Sequence, residues 1–152
     1  LSSVRPEIIF HFAGSPIIKN ERELLDLNVG FAKTIIEVIS DLNDLKTKVV
    51  LLGTAAEYGI VKEKDLPVNE MYPPNPLSSY GKTKLMQTNL GLKSSSADHP
   101  IIILRPFNIY GPGMPDYLSI SNFLKISFRS SSISGLLKVL KSFSIKTAFR
   151  SS

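Results

Sequence analysis

Val49-Val50-Leu51-Leu52-Gly53 is a continuous apolar run closed by a glycine and followed by Thr54-Ala55-Ala56-Glu57-Tyr58-Gly59. A short unbroken apolar run bounded by a turn former reads as a strand buried on both faces. Two more runs of this kind flank it. Ile8-Ile9-Phe10-His11-Phe12 closes on Ala13-Gly14-Ser15-Pro16, and Pro100-Ile101-Ile102-Ile103-Leu104 stops at Arg105-Pro106. Between the first two runs, Leu24, Leu25, Leu27, Phe31, Ile35, Ile36 and Ile39 recur at helical spacing, with Glu21 and Glu23 near the start where the helix dipole favours acidic groups. Between the second and third, a proline-rich connection from Pro67 to Pro76 leads to Ser78 and Ser79 as helix caps and to a helix from about Tyr80 toward Leu92. The pattern predicts an α/β fold: an open parallel sheet with helices on both faces. Such sheets bind ligands beyond the carboxyl ends of their strands. The loops at 13–15, 54–59 and 106–113 are therefore the places to search.

Composition narrows the function classes. The chain has 152 residues, 43% hydrophobic and 20% charged, which is the balance of one globular domain rather than of a disordered segment. No apolar stretch nears the roughly 18 residues of a membrane span, and Leu1-Ser2-Ser3-Val4-Arg5 lacks the basic head and apolar core of a signal peptide. Zero cysteines exclude a disulfide framework, a thiolate metal site and a cysteine nucleophile, and suit a reducing, cytoplasmic compartment. His11 and His99 are too few for a histidine metal cluster, so no metal is expected.

The net charge of +5 is carried by the end of the chain. Every acidic residue lies at or before Asp116, where the balance is about −1, and the last 36 residues carry about +6. A basic patch belonging to the fold is not supported, so no nucleic acid partner is expected. Residues 1–124 hold the patterned part, and 125–152 form a basic tail, irregular or helical, rich in Ser, Leu and Phe. Within it, Gly135 to Phe143 has the pattern of a short basic amphipathic helix, for which a packed or solvated helix is favoured over membrane contact. Deleting residues 125–152 is expected to leave the folding of the rest nearly unchanged.

Tyr-x-x-x-Lys places a phenol and an ammonium on one helix face, where both can act on one reacting centre. The pattern occurs twice, at Tyr58 and Lys62 and at Tyr80 and Lys84. Tyr58 precedes Gly59 and a polar, proline-bounded segment, whereas Tyr80 follows the caps and precedes good helix formers. Only the second pair is predicted to be helical.

Five segments in order then match one family: Ile8-Ile9-Phe10-His11-Phe12-Ala13-Gly14, Asn28-Val29-Gly30, Leu52-Gly53-Thr54-Ala55-Ala56-Glu57-Tyr58-Gly59, Ser79-Tyr80-Gly81-Lys82-Thr83-Lys84, and Arg105-Pro106-Phe107-Asn108-Ile109-Tyr110-Gly111-Pro112-Gly113. Over residues 1 to about 124 the chain resembles the extended short-chain dehydrogenase/reductases, the NAD-dependent epimerase/dehydratase family. It looks most similar to reductases of GDP-4-keto-6-deoxy sugars. The resemblance implies part of a Rossmann-like domain, NAD or NADP as cofactor, and a nucleotide-sugar substrate. A homodimer is an assembly open to the full-length enzyme.

The resemblance also implies roles. Tyr80 becomes the acid/base that relays a proton to or from a sugar hydroxyl, and Lys84 binds the nicotinamide ribose. Thr54 matches the Ser/Thr that hydrogen-bonds the reacting oxygen, serving both catalysis and substrate binding. Ala13 and Gly14 match the loop the cofactor approaches, Pro106 and Phe107 the segment against the nicotinamide, and Asn108 a sugar-nucleotide contact. Ionising a phenol near neutral pH takes about 4 kcal/mol, which an ammonium about 4 Å away supplies at an effective dielectric of about 20. Dehydratases of the group carry an acid/base pair where this chain has Ala55 and Ala56, leaving reduction or epimerisation. Glu57, one position off, reads as structural or solvent-facing. A surface lysine and a strand-end threonine are the plain alternatives for Lys84 and Thr54. For Phe107 the alternative is a core residue, for His11 a hydrogen-bonded strand histidine, and for Asn28 a buried connector.

One departure is an absence: no Gly-x-Gly-x-x-Gly loop opens a helix, and Gly111 and Gly113 have no third partner. The sequence therefore reads as the back part of such an enzyme, expected to bind dinucleotide poorly and to be inactive alone. The competing classes are a binding module that keeps only the sugar-facing half, and a membrane-associated protein using the tail.

Overall fold

Three parallel strands, β1 (Ile8–His11), β2 (Lys48–Leu52) and β3 (Ile101–Leu104), pair in that order. The computed structural model describes residues 3–15, 17, 20–42 and 46–107. Those up to Arg105 belong to one unit, and Pro106 and Phe107 to a second. Asn108 and the tail at 125–152 lie outside the described residues. The register sets Phe10 beside Val50 and Val50 beside Ile102. Backbone bonds from Lys48 N to the Glu7 carbonyl and from Gly53 N to the Leu104 carbonyl, at 2.9 and 2.7 Å, extend the pairing past the strand ends.

The connections are helical, as parallel pairing requires. The first is one continuous helix in three parts: α1 (Glu21–Leu25), a π-helical turn (Asp26–Gly30) and α2 (Phe31–Asp41). Asn20 caps it, its side chain accepting from Arg22 N at 3.0 Å. The second is α3 (Ser79–Ser94), capped by Ser78, whose hydroxyl accepts from Gly81 N at 3.0 Å.

Successive strand residues point to opposite faces, and the core lies on the face of Val49, Leu51, Ile101 and Ile103. Ala32, Ile36 and Ile39 of α2 join it, with Leu90 and Leu92 of α3 packed against it. Each fully buried aliphatic side chain contributes about 1.5–3 kcal/mol. A Cβ on Gly91 would fall 2.7 Å from Leu51 Cδ1 and 3.1 Å from Ile103 Cδ1, so α3 lays its backbone almost on the sheet. At its other end, a Cβ on Gly81 would fall 2.7 Å from the Ala56 carbonyl oxygen. The first turn of α3 is thereby held against the loop after β2.

Two details differ from the sequence reading. β1 is not buried on both faces: Ile8, Phe10 and Phe12 are exposed, Phe10 to 61%, while His11 is buried. Both α2 and α3 pack on the face of Val49 and Leu51, which Ile9 and His11 share, and no described helix covers the face of Ile8 and Phe10. Within the first helix, Leu25 and Phe31 are exposed and Asn28 is fully buried. The π turn adds a residue to one helical turn and shifts the apolar face, so strict 3.6 spacing from Leu24 to Ile39 mislabels its middle. Asn28 accordingly sits inside the helix rather than in a connector.

Candidate active site

Thr54 follows Gly53 at the carboxyl end of β2 and caps a 3-10 turn (Ala55–Glu57), with its hydroxyl accepting from Ala56 N at 3.3 Å. The Glu57 side chain completes the cap by accepting from Thr54 N at 3.0 Å. Tyr80 stands in the first turn of α3, which Gly81 sets against the loop carrying Thr54. Burial raises the Tyr80 pKa above the ordinary phenol value, the nearby Thr54 side chain pulls it back, and the Glu57 charge adds to the rise. At neutral pH the phenol keeps its proton.

Lys84 lies one turn further along α3, 2% exposed. Its ammonium donates to the Leu52 carbonyl at 2.9 Å, to Gln87 Oε1 at 3.0 Å and to the Ala13 carbonyl at 3.4 Å. Burial draws its pKa down to about 8, with Glu57 opposing. A Cβ on Gly14 would fall 2.8 Å from this nitrogen and 2.9 Å from Asn28 Oδ1, so only a bare backbone passes there. Asn28 in turn donates to Thr83 Oγ1 at 2.9 Å. Burial and then the Lys84 charge lower the pKa of His11.

The structure thus brings together Ala13, Gly14, Thr54, Tyr80 and Lys84 from the ends of β1 and β2 and from α3. Pro106 is half-buried and Phe107 is 43% exposed. The two Tyr-x-x-x-Lys patterns separate as expected. Tyr80 and Lys84 share α3, whereas Tyr58 ends one 3-10 turn and Lys62 precedes another, across Gly59 at φ +67°. The electrostatic expectation is altered. Lys84 is turned to backbone carbonyls and Gln87, and the groups that move Tyr80 are Thr54 and Glu57.

Glu57 is fully buried, not solvent-facing, and pairs with Arg105 through Nε at 2.8 Å. Sequence reading also passed over Gln87, Thr88 and Arg105. Gln87, three residues after Lys84, was available from helical spacing. The Glu57 to Arg105 pair, 48 residues apart, left no local signal.

The sequence and the fold match known proteins. The model of the NAD dependent epimerase/dehydratase family matches residues 1–130, and the chain belongs to that family. It is 32% identical over 111 residues to a UDP-glucose 4-epimerase of Lactobacillus helveticus, covering 69% of this chain and 32% of that protein. It is 28% identical over 115 residues to a GDP-6-deoxy-D-talose 4-dehydrogenase of Aggregatibacter actinomycetemcomitans, covering 74% and 38%. Its fold superposes on RMD from Pseudomonas aeruginosa complexed with NADPH at a TM-score of 0.71 and 23% identity, over 82% of this chain and 44% of that one. The chain spans about a third of the length of these curated relatives. Family membership fixes a Rossmann-like fold and an NAD-dependent family, among whose members are these nucleotide-sugar enzymes. Among the described residues no helix is long and apolar enough to cross a membrane, and no acidic or histidine cluster is placed to hold a metal ion.

Proposed function

We propose that these residues serve a nucleotide-sugar oxidoreductase that reduces a 4-keto-6-deoxy sugar nucleotide, with Tyr80 as the proton donor. The observation that carries this reading is that Gly81 packs the first turn of α3, with Tyr80, onto the loop that carries Thr54, where burial raises the phenol pKa. Reduction of a ketone builds negative charge on its oxygen, and a protonated phenol supported by a second hydroxyl delivers the proton there. Thr54 orients that oxygen. Ala55 and Ala56 offer no acid/base pair for removing water, which argues against dehydration.

The residues fit the nicotinamide end of the cofactor. Lys84 would turn the donor of its longest bond, 3.4 Å to the Ala13 carbonyl, to a ribose hydroxyl, and Gly14 leaves open the space a Cβ would fill. Asn28 Oδ1 is buried without a hydrogen-bond partner among the described residues, as a waiting acceptor would be. NAD(P) supplies the hydride when bound. Ala13 is a further proposed cofactor contact, and the family resemblance alone proposes Pro106 and Phe107 for the cofactor and Asn108 for the sugar nucleotide.

Epimerisation is the second reading, favoured by the 32% identity to a UDP-glucose 4-epimerase. The complete gene product, given NADPH or NADH and a GDP-4-keto-6-deoxy sugar, separates the two. Reduction consumes nicotinamide absorbance in step with substrate. Epimerisation of a UDP-hexose proceeds with no net absorbance change. Failure of both assays would leave only a binding role.

A further inference from the structure

We propose that Glu57 is a positioning residue, whose carboxylate locks the loop after β2 and so fixes the Thr54 hydroxyl beside the first turn of α3. The proposal rests on the reading of Thr54 and Tyr80 given above. The Glu57 side chain is 0% exposed and has partners after β2, on α3 and after β3. Oε2 accepts from Arg105 Nε at 2.8 Å, just beyond β3. Oε1 accepts from Thr54 N at 3.0 Å and from Thr88 Oγ1 of α3 at 3.2 Å. Arg105 is itself held by Tyr58, donating from Nη1 to the phenol oxygen at 3.3 Å with its guanidinium over the ring.

A buried carboxylate must be paired to be tolerated at all, and Arg105 alone would meet that need. The second oxygen does something more specific, because it takes the backbone amide of the residue that presents the hydroxyl. Gly53 makes room for it: a Cβ there would lie 2.5 Å from Oε1. Neither Ala55 nor Ala56 has a polar side chain to hold the turn, so Thr54 is oriented by Glu57 on its amide and by its own hydroxyl on Ala56 N.

Two paired substitutions test this without leaving Arg105 as an orphan charge. Glu57→Met with Arg105→Met removes every acceptor, while Glu57→Gln with Arg105→Gln keeps an oxygen for the Thr54 amide. Hydrogen exchange on the chain should show the Thr54 amide opening about 10-fold faster in the methionine pair, with the amides of Ile36 and Ile39 unchanged and the glutamine pair restored. In the complete gene product kcat should fall about 10- to 100-fold in the methionine pair at unchanged KM, and recover in the glutamine pair. Unchanged Thr54 protection, or unchanged kcat in a folded methionine pair, overturns the proposal. So does failure of both pairs to fold, which would assign Glu57 to stability alone. A wild-type protein without turnover on any nucleotide sugar would sink the reading of the site, yet the exchange measurement would still decide whether Glu57 holds the loop.

Discussion

The Lys84 ammonium donates to the Leu52 carbonyl at 2.9 Å, tying the middle of α3 to the last residue of β2. The contact stands where water is scarce, and burial draws the lysine from 10.5 to about 8. Between those values the unfolded chain binds more protons than the folded one, so stability rises with pH from about 8 toward 10.5. Below about pH 8 the fold carries the whole cost of a charged, buried amine. Lys84→Met should abolish the rise, leaving denaturation midpoints equal at about pH 8 and about pH 10, where the wild type gains. A variant that keeps the wild-type slope would show that another group titrates.

Tyr80→Phe keeps the ring and removes the hydroxyl on which Thr54 and Glu57 act. Turnover of the complete gene product should fall about 100- to 10,000-fold with folding intact. Tyr58→Phe is the control, since Tyr58 contacts Arg105 rather than Thr54. It should cost about 1 kcal/mol of stability and little turnover. The reverse outcome in the nicotinamide absorbance assay would move the catalytic assignment away from α3.

Gly14→Ala places a methyl where Lys84 Nζ and Asn28 Oδ1 already approach. The lysine is long enough to swing aside, so folding should persist. Its head would then leave the Ala13 carbonyl, and NADPH affinity of the complete gene product, measured by calorimetry, should drop at least about 10-fold. Full affinity in the alanine variant would argue against Gly14 as part of the cofactor floor.

Gly91→Val drives a branched side chain into Leu51, Ile101 and Ile103, each within 3.2 Å of the first added carbon. Overpacking of this kind costs about 1–3 kcal/mol, more than any helix-propensity difference at one site. Urea denaturation should show a lowered midpoint. An unchanged midpoint would mean that α3 stands further from the sheet.

Most of the frame was legible in short sequence stretches, because apolar runs and cap residues act locally. The three strands, the helix after Ser78 and the choice between the two Tyr-x-x-x-Lys patterns all rest on neighbours a few residues apart. Burial of Asn28 was not legible, since it depends on the π turn, and no residue between Asp26 and Gly30 announces one. Nor was the state of Tyr80. Spacing to Lys84 pointed to an ammonium as its partner, while the fold sets Thr54 and Glu57 nearer in effect and gives the ammonium to carbonyls 32 and 71 residues away. Site electrostatics depend on groups distant in sequence, which periodicity does not sense.

The π turn at Asp26–Gly30 makes one helix behave as two cams on a single shaft. One extra residue rotates the first half by about 100° relative to the second. Ahead of the offset, Glu21 reaches Ser79 at 2.6 Å, and within it Asn28 reaches Thr83, both on α3. Beyond it, Ala32, Ile36 and Ile39 face the sheet. Deleting a single residue from this stretch would straighten the shaft and swing Asn28 off Thr83, leaving the sheet-facing half in place. The floor beneath Gly14 is thus set by helical phase, independently of the hydrophobic contacts that anchor the same helix.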